Sequence, residues 1–127
     1  ITIKIPYYDN DEFNFVKKIK DKIPSVELIG KITLVELIGI MRQARFIFAV
    51  DTGFAHLAGA LGIPHVILFG PTDPAIFSVL ENNHHILQSN FSCIQCGKRV
   101  CNYGGILRES AVCMNKLLIS ETILEQL

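Results

Sequence analysis

A short segment in the middle of the chain combines an acid, a hydroxyl, a glycine and a histidine. Asp51, Thr52 and Gly53 follow an apolar run, and His56 comes three residues after Gly53. The small and apolar residues at 54–61 predict a helix, so the triplet lies between a strand and a helix. A helix N-terminus presents unpaired N–H groups and partial positive charge, and a glycine has no Cβ to hold an anion away. The pattern predicts a phosphate or diphosphate site at Gly53.

Other interpretations of the same residues stay open. Asp51 and Thr52 are common N-cap residues, which would explain a helix start without any ligand. His56 would also suit a core histidine bonded to the backbone. Asp51-Thr52-Gly53 matches the catalytic triplet of aspartic proteases, including retroviral-type subunits of about this length. That fold is nearly all β, whereas the residues after Gly53 and two earlier segments have helical spacing, which disfavours a protease.

The elements that must position this segment alternate between strands and helices. Strands are predicted at 1–5, 25–29, 46–50 and 65–69, and helices between Asp9 and Pro24, at 33–44 and at 54–61. The continuously apolar strand 46–50 is expected to be covered on both faces. Such alternation predicts right-handed βαβ units and a parallel, Rossmann-like α/β sheet without a domain-dividing linker.

The carboxyl edge of such a sheet is where ligands bind. The loop 70–74 is therefore expected beside Gly53, with Thr72 and Asp73 as turn formers. Further along, the pattern predicts a short helix at 75–80, an extended segment at 84–88 and a final helix at 120–127. Thr33 and Glu36 match a capping box at the start of the second helix.

The composition of the 127 residues excludes several classes of function. Half of the residues are hydrophobic and 19% are charged, which is typical of a folded domain with a core. Twelve basic residues balance twelve acidic ones, so no net charge attracts nucleic acid or an anionic membrane. The longest uncharged run, 52–72, is interrupted by glycine, proline and histidine and does not predict a membrane span. No signal peptide is recognisable, and the start at Ile1 suggests a piece of a longer protein.

Four cysteines are confined to the last third of the chain, at Cys93, Cys96, Cys101 and Cys113. A secreted scaffold would spread its cysteines along the chain, so the pattern favours a cytosolic protein with a local cysteine-rich loop. The spacing would allow a zinc site, with His84 and His85 nearby, and free thiols or a disulfide are the alternatives. We expect no stoichiometric metal, because the upstream sheet can bury a core without one.

Several segments together resemble glycosyltransferase family 9, the ADP-heptose:lipopolysaccharide heptosyltransferases. Residues 50–64 (VDTGFAHLAGALGIP) and 68–74 (LFGPTDP) are similar to the family signature. Gly30-Lys31, Leu34 and Glu36-Leu37 resemble its G-K-x-x-L-x-E-L stretch. The cysteine-rich segment and residues 119–121 are also similar to family segments, so the resemblance covers essentially the whole chain.

The resemblance implies a GT-B glycosyltransferase, with two Rossmann-like domains and an active site in the cleft between them. Residues 1–127 would form a truncated C-terminal domain that binds the nucleotide sugar. The first strand of that domain would be missing, as would the N-terminal domain with the acceptor site and the catalytic carboxylate. The full-length enzyme would transfer heptose to the lipopolysaccharide inner core, whereas this chain alone would be inactive and would hold no catalytic residue. A non-catalytic nucleotide-binding module is the alternative.

The resemblance also implies which residues bind the ADP-sugar donor. Those expected at the diphosphate are Thr52, Gly53, His56 and Leu57, and Asp51 would lie near the sugar. Lys31 is also implied as a donor-binding residue, Ile32 beside it would border the adenine, and Glu12 would meet the ribose. The positive helix end would stabilise the departing diphosphate, so no metal or other cofactor is expected. The implied location is the cytoplasm, with the cytoplasmic face of the inner membrane as an alternative, without a transmembrane segment or a nucleic-acid partner.

Overall fold

The computed structural model describes residues 2–77, 84–107 and 111–115. The chain forms two compact units, Ile1–Ile40 and Met41–Leu127. The first contains β1 (Lys4–Tyr7), α1 (Asn10–Lys22) and β2 (Glu27–Gly30), and α2 (Leu34–Met41) runs to the boundary. The second contains β3 (Ile47–Val50), α3 (Gly53–Ala60), β4 (His65–Phe69), α4 (Pro74–Phe77), β5 (His84–Gln88), a 3₁₀ turn (Tyr103–Gly105) and α5 (Val112–Asn115).

The first unit is built on one βαβ crossover. β1 and β2 pair in parallel from Lys4–Glu27 to Tyr7–Gly30, and α1 connects them. A Cβ at Gly30 would overlap the ring of Tyr7, so glycine lets that ring lie across β2. The crossover confirms the predicted parallel α/β arrangement. The described strands form a two-stranded and a three-stranded sheet, however, instead of the single sheet that was predicted.

β1 continues through a proline that was predicted to end it. The expected strand at 1–5 is observed instead at Lys4–Tyr7, with Pro6 inside it. The carbonyl of Ile3 accepts from the Glu27 N–H, so the backbone N–H and C=O groups of residues 3, 5 and 7 point toward β2. The backbone nitrogen of Pro6 points away from β2. The missing N–H of Pro6 therefore costs no hydrogen bond to β2, which is why the strand can continue.

The predicted capping box at the start of α2 is confirmed. Glu36 Oε2 accepts from the Thr33 N–H at 2.7 Å and from the Thr33 hydroxyl at 2.8 Å. The Glu36 N–H donates to Thr33 Oγ1 at 3.3 Å. The bonds from the Thr33 backbone and hydroxyl lower the pKa of the Glu36 carboxyl. Their contribution to stability is therefore present above the ordinary carboxyl pKa and is lost as the pH falls through the lowered one.

The second unit is a parallel sheet in the order β3-β4-β5. β4 is central and most buried, and its Ile67 and Phe69 form a core cluster with Ala55 of α3. Ala49 of β3 packs against this cluster. The small side chain of Ala55 lets α3 lie close to the strands, so the sheet fixes the position of the start of this helix.

The expectation that β3 is covered on both faces is wrong in the described part of the chain. Phe48 is 46% exposed and Val50 is 44% exposed, whereas Ile47 and Ala49 are half-buried. β3 pairs with β4 alone among the described strands, and α3 covers only the face that carries Ala49. A continuous apolar run does not by itself show which face the tertiary structure covers.

The remaining predicted elements differ mainly at their ends. β4 and β5 are observed at the predicted 65–69 and 84–88. β2 begins at Glu27, two residues later than predicted. α2 ends at Met41 rather than at residue 44, and the Ala44 N–H donates to the Met41 carbonyl in a turn that follows the helix. The short helix predicted at 75–80 is observed as α4, and its later residues, like the helix predicted at 120–127, lie outside the described residues.

Candidate functional site

Loops from the second unit converge at the carboxyl edge of its sheet. Because β3, β4 and β5 are parallel, the residues after their ends share one edge. Asp51 and Thr52 follow β3, Gly70 follows β4, and Ser89 follows β5. α3 begins at Gly53, so the strand, triplet and helix predicted from the sequence are confirmed.

Thr52 occupies the N-cap position of α3 without capping it through its side chain. Its backbone is extended, with φ −148° and ψ 171°, and its carbonyl accepts from the Ala55 N–H at 3.0 Å. The hydroxyl donates backwards to the Val50 carbonyl at 3.2 Å rather than accepting from the first turn. The usual side-chain cap is absent, so capping does not account for Thr52.

Gly53 is the first residue of α3, and its own surroundings do not require glycine. Apart from the adjoining residues and the backbone of α3, no atom in the described part of the chain lies within 4 Å of where its Cβ would be, and its φ is outside the left-handed region. Neither internal packing nor backbone conformation therefore demands a glycine here. The glycine leaves open space beside the N-terminus of α3, and an anion can approach the backbone closely there.

Asp51 and His56 form a pair beside this open space. Asp51 Oδ1 lies 3.8 Å from His56 Nε2, with the Asp51 side chain 16% exposed and the His56 side chain half exposed. His56 lies three residues after Gly53 and so shares its helix face. A half-exposed imidazole does not fit the interpretation of His56 as a core histidine. Leu57, the other residue expected here, is half-buried.

The loop after β4 is held by hydrogen bonds from its own residues and from β5. Asp73 Oδ1 accepts from the Ala75 N–H at 2.9 Å, which confirms its predicted role as a turn former. Gln95 Nε2 donates to Gln88 Oε1 at 3.4 Å, and Gln88 Nε2 donates to the Thr72 carbonyl at 3.4 Å. The sequence reasoning missed both glutamines, because only the pairing of β4 with β5 brings Gln88 to this loop.

Three further candidate residues belong to the first unit. Lys31 directly follows β2, is exposed, and has a left-handed backbone with φ 55°, which is rare for a residue other than glycine. Ile32, next to it, is half-buried. Such a backbone outlier stores strain and is a reason to suspect a functional role.

Glu12 has a structural role that the sequence reasoning did not assign. Its Oε2 accepts from the Tyr8 N–H at 2.7 Å, and its own N–H donates to Asp9 Oδ1 at 2.8 Å. Asp9 therefore caps α1 through the Glu12 N–H, and the Glu12 carboxylate reaches back to Tyr8, one residue before the cap. This is a variant of the capping box at Thr33 and Glu36, where the glutamate accepts from the N-cap residue itself. The signal was present in the sequence as an acidic residue three places after Asp9.

The structure places an open helix N-terminus at the carboxyl edge of a parallel sheet. A match between this sequence and a known protein family agrees with an anion-binding role for that position. The profile of glycosyltransferase family 9 (heptosyltransferase) matches residues 2–107. The chain belongs to this family. No helix within the described ranges has both the length and the hydropathy needed to cross a membrane.

Relatives in the family include curated heptosyltransferases and solved structures. The chain is 27% identical over 125 residues to lipopolysaccharide heptosyltransferase 1 of Pseudomonas aeruginosa, covering 91% of this chain and 35% of that protein. It is 30% identical to the Escherichia coli K12 enzyme of the same name, covering 70% of this chain and 28% of that protein. The chain therefore spans about a third, or less, of the length of these relatives.

Two solved structures of a family member have similar folds. E. coli heptosyltransferase WaaC with ADP superposes with a TM-score of 0.65 at 31% identity, covering 68% of this chain and 27% of that one. The same enzyme with ADP-2-deoxy-2-fluoro heptose gives a TM-score of 0.63 at 30% identity, covering 70% of this chain and 27% of that one. The parallel α/β fold class predicted from the sequence is thereby confirmed.

Proposed function

We propose that the N-terminus of α3 binds the diphosphate of an ADP-sugar donor. The observation that carries this is Gly53, a glycine required neither by its φ nor by packing, at a helix start that Thr52 leaves without a side-chain cap. Backbone N–H groups and the helix dipole favour an anion at such a position. The solved relative that binds ADP and an ADP-heptose analogue supports the choice of an ADP-sugar over other anions.

Asp51 and His56 are proposed to contact neighbouring parts of the donor, the sugar and the diphosphate. His56 shares a helix face with Gly53 and is half exposed, so its imidazole is available to the diphosphate, where Thr52 and Leu57 are also proposed. A carboxylate repels phosphate and accepts hydrogen bonds from hydroxyls, so Asp51 suits the sugar better. The pair at 3.8 Å orients the imidazole without a strong bond between the two groups.

Lys31, Ile32 and Glu12 remain proposals carried by the family resemblance and their own local geometry. Lys31 is an exposed cation held in a strained backbone, which suits a phosphate contact. Ile32 would offer an apolar surface to adenine. Glu12 would meet the ribose with the carboxylate oxygen that does not accept from Tyr8.

We further propose that the full-length protein transfers heptose from ADP-heptose to the lipopolysaccharide inner core in the cytoplasm. Residues 1–127 would belong to its C-terminal, donor-binding domain. The acceptor and a catalytic carboxylate would come from an N-terminal domain of a GT-B enzyme. The role of α3 in this reaction is to stabilise the negative charge that develops on the departing diphosphate.

Two other functions are less well supported. An aspartic protease is not favoured, because α3 begins within the Asp51-Thr52-Gly53 triplet and the strands on either side pair in parallel. A nucleotide-binding module without catalysis would use the same open helix start, and the family membership favours the transferase over it.

Transfer activity is the direct test of the proposed function. The full-length protein, mixed with ADP-heptose and a heptose-deficient lipopolysaccharide core, is expected to release ADP and to extend the core by heptose. Residues 1–127 alone are expected to give no product above background. Donor binding without transfer by the full-length protein would favour the non-catalytic module, and full activity of residues 1–127 alone would contradict the assignment of catalysis to another domain.

Lys31 allows the contribution of its charge to be separated from that of its strained backbone. Glycine adopts a φ of 55° readily, so Lys31→Gly should leave the melting temperature unchanged or raise it. The loss of a charge-assisted contact should weaken ADP binding about tenfold, measured by calorimetry on the full-length protein. Lys31→Arg, which keeps the charge, is the control, and unchanged ADP affinity in Lys31→Gly would remove Lys31 from the donor site.

A further inference from the structure

The fold gathers all four cysteines around one small cavity in the second unit. The cavity measures about 60 Å³, and its walls include Pro71 and Tyr103 beside the sulfur-bearing residues Cys93, Cys96, Cys101 and Cys113. This volume is far below the several hundred Å³ of a typical small-molecule site. It is suited to a single ion rather than to a nucleotide or a sugar.

The turn that carries the first two cysteines is tightly folded and fixed to the sheet. Gln95 and Gly97 both have left-handed backbones, with φ of 62° and 66°. The Gln95 N–H donates to the Gly70 carbonyl at 3.2 Å, and the Gly97 N–H donates to the Pro71 carbonyl at 2.6 Å. A left-handed backbone at a residue other than glycine costs conformational free energy. A site that requires both thiols of the C-x-x-C turn on the same side would explain why this strain is kept.

Cys113 reaches the same cavity from α5. It is 5% exposed, and its Sγ would lie 3.1 Å from a Cβ at Gly70. The absence of a side chain at Gly70 thus lets Cys113 pack directly over the end of β4. No disulfide joins Cys93, Cys96 or Cys113, so their sulfurs are available as ligands.

Against the expectation from the sequence alone, and because the fold brings all four cysteines to one cavity, we propose that Cys93, Cys96, Cys101 and Cys113 bind one Zn²⁺ as a tetrathiolate. Four cysteines with a C-x-x-C pair are a ligand set that zinc prefers, and thiols kept reduced in a cytosolic protein bind metal more often than they form disulfides. No three His, Cys, Asp or Glu side chains in the described ranges are yet close enough to hold an ion. Binding therefore requires the side chains to turn inward until the sulfurs lie about 2.3 Å from the metal.

The proposed ion would stiffen a loop at the carboxyl edge of the sheet. The cysteine turn is bonded to Gly70 and Pro71, and Gln95 is linked through Gln88 to Thr72. Metal binding would hold this turn and α5 together across residues 70–72. The site would thus be structural, and it does not rest on the proposed donor function.

The test is the metal content and metal spectrum of the full-length protein. Protein purified under reducing conditions with Zn²⁺ present, and then freed of loose metal by gel filtration, is expected to hold about one zinc per chain. Replacement by Co²⁺ should give the intense sulfur-to-cobalt absorption of a tetrahedral thiolate site. A strong chelator should remove the metal and lower the melting temperature, and added Zn²⁺ should restore it.

Two variants assign any metal to these residues. Cys96 is exposed, so Cys96→Ser should fold while losing the zinc and the cobalt–sulfur absorption. Ser92→Ala is the matched control, being exposed and adjacent to Cys93 but not on the cavity wall, and it should keep both. Absence of zinc from reduced wild-type protein, or zinc and a thiolate spectrum retained in Cys96→Ser, would overturn the proposal.

Discussion

Gly53→Val is expected to abolish most ADP binding while leaving the fold intact. Among the described residues, no atom outside the adjoining residues and the backbone of α3 lies within 4 Å of the new Cβ, and φ is not left-handed, so the Cβ should cause neither a tertiary clash nor backbone strain. Its branched side chain would occupy the space through which phosphate oxygens approach the helix start. Losing two charge-assisted hydrogen bonds of about 1.5 kcal/mol each would weaken binding about a hundredfold. Calorimetry with ADP and with ADP-heptose on the full-length protein measures this.

Two other substitutions control for the change from glycine. Gly39→Val also introduces valine into a helix, at a position where the Cβ would meet no described atom within 4 Å outside the adjoining residues and its own helix backbone, and it should leave ADP affinity unchanged. Gly53→Ala, with only a methyl group, should weaken binding by less than Gly53→Val. ADP and ADP-heptose should lose affinity together, because both carry the diphosphate. Normal ADP affinity in a folded Gly53→Val protein, checked by circular dichroism, would remove the anion site from α3.

Asp51→Asn is expected to separate the sugar from the nucleotide. If the carboxylate accepts hydrogen bonds from sugar hydroxyls, its loss should lower kcat/KM for ADP-heptose about 10- to 100-fold, at about 1.5–3 kcal/mol per charged contact. ADP has no sugar at that end, and the contact to His56 is long at 3.8 Å, so ADP affinity should stay within about twofold. Steady-state kinetics with ADP-heptose and calorimetry with ADP measure the two effects.

The pattern of the Asp51→Asn result also identifies the alternatives. Equal losses for ADP and ADP-heptose would mean that Asp51 acts on the diphosphate through His56, and the proposed sugar contact would be wrong. No change in either would leave Asp51 without a role in the donor site. His56→Gln is the companion variant, and it should weaken ADP and ADP-heptose alike, because His56 is proposed at the diphosphate.

Local sequence patterns were sufficient for features that depend on neighbours within a few residues. The Thr33–Glu36 capping box and the turn bond of Asp73 were predicted and are observed, since both partners lie within four positions of each other. The start of a helix at Gly53, directly after an apolar strand, was predicted for the same reason. The family signature around residues 50–64 indicates the donor class independently of the geometry.

Other features depend on which strands and loops meet, and a local pattern does not contain that information. The exposed Phe48 and Val50 of β3 show that an apolar run does not determine how many faces are covered. Pro6 is tolerated inside β1 because its nitrogen faces away from β2, a consequence of register. The link from Gln95 through Gln88 to Thr72 exists only because β4 and β5 pair.

The sequence by itself determined the parallel α/β class, the strand–triplet–helix arrangement and the candidate residues at Gly53. The tertiary structure decided that Thr52 does not cap α3 with its side chain and that the space at Gly53 is open. It also decided that four cysteines spread over twenty-one positions line one cavity. The physical reason is the range of the interactions: caps and turns close over a few residues, whereas open space and convergence are set by the packing of distant segments.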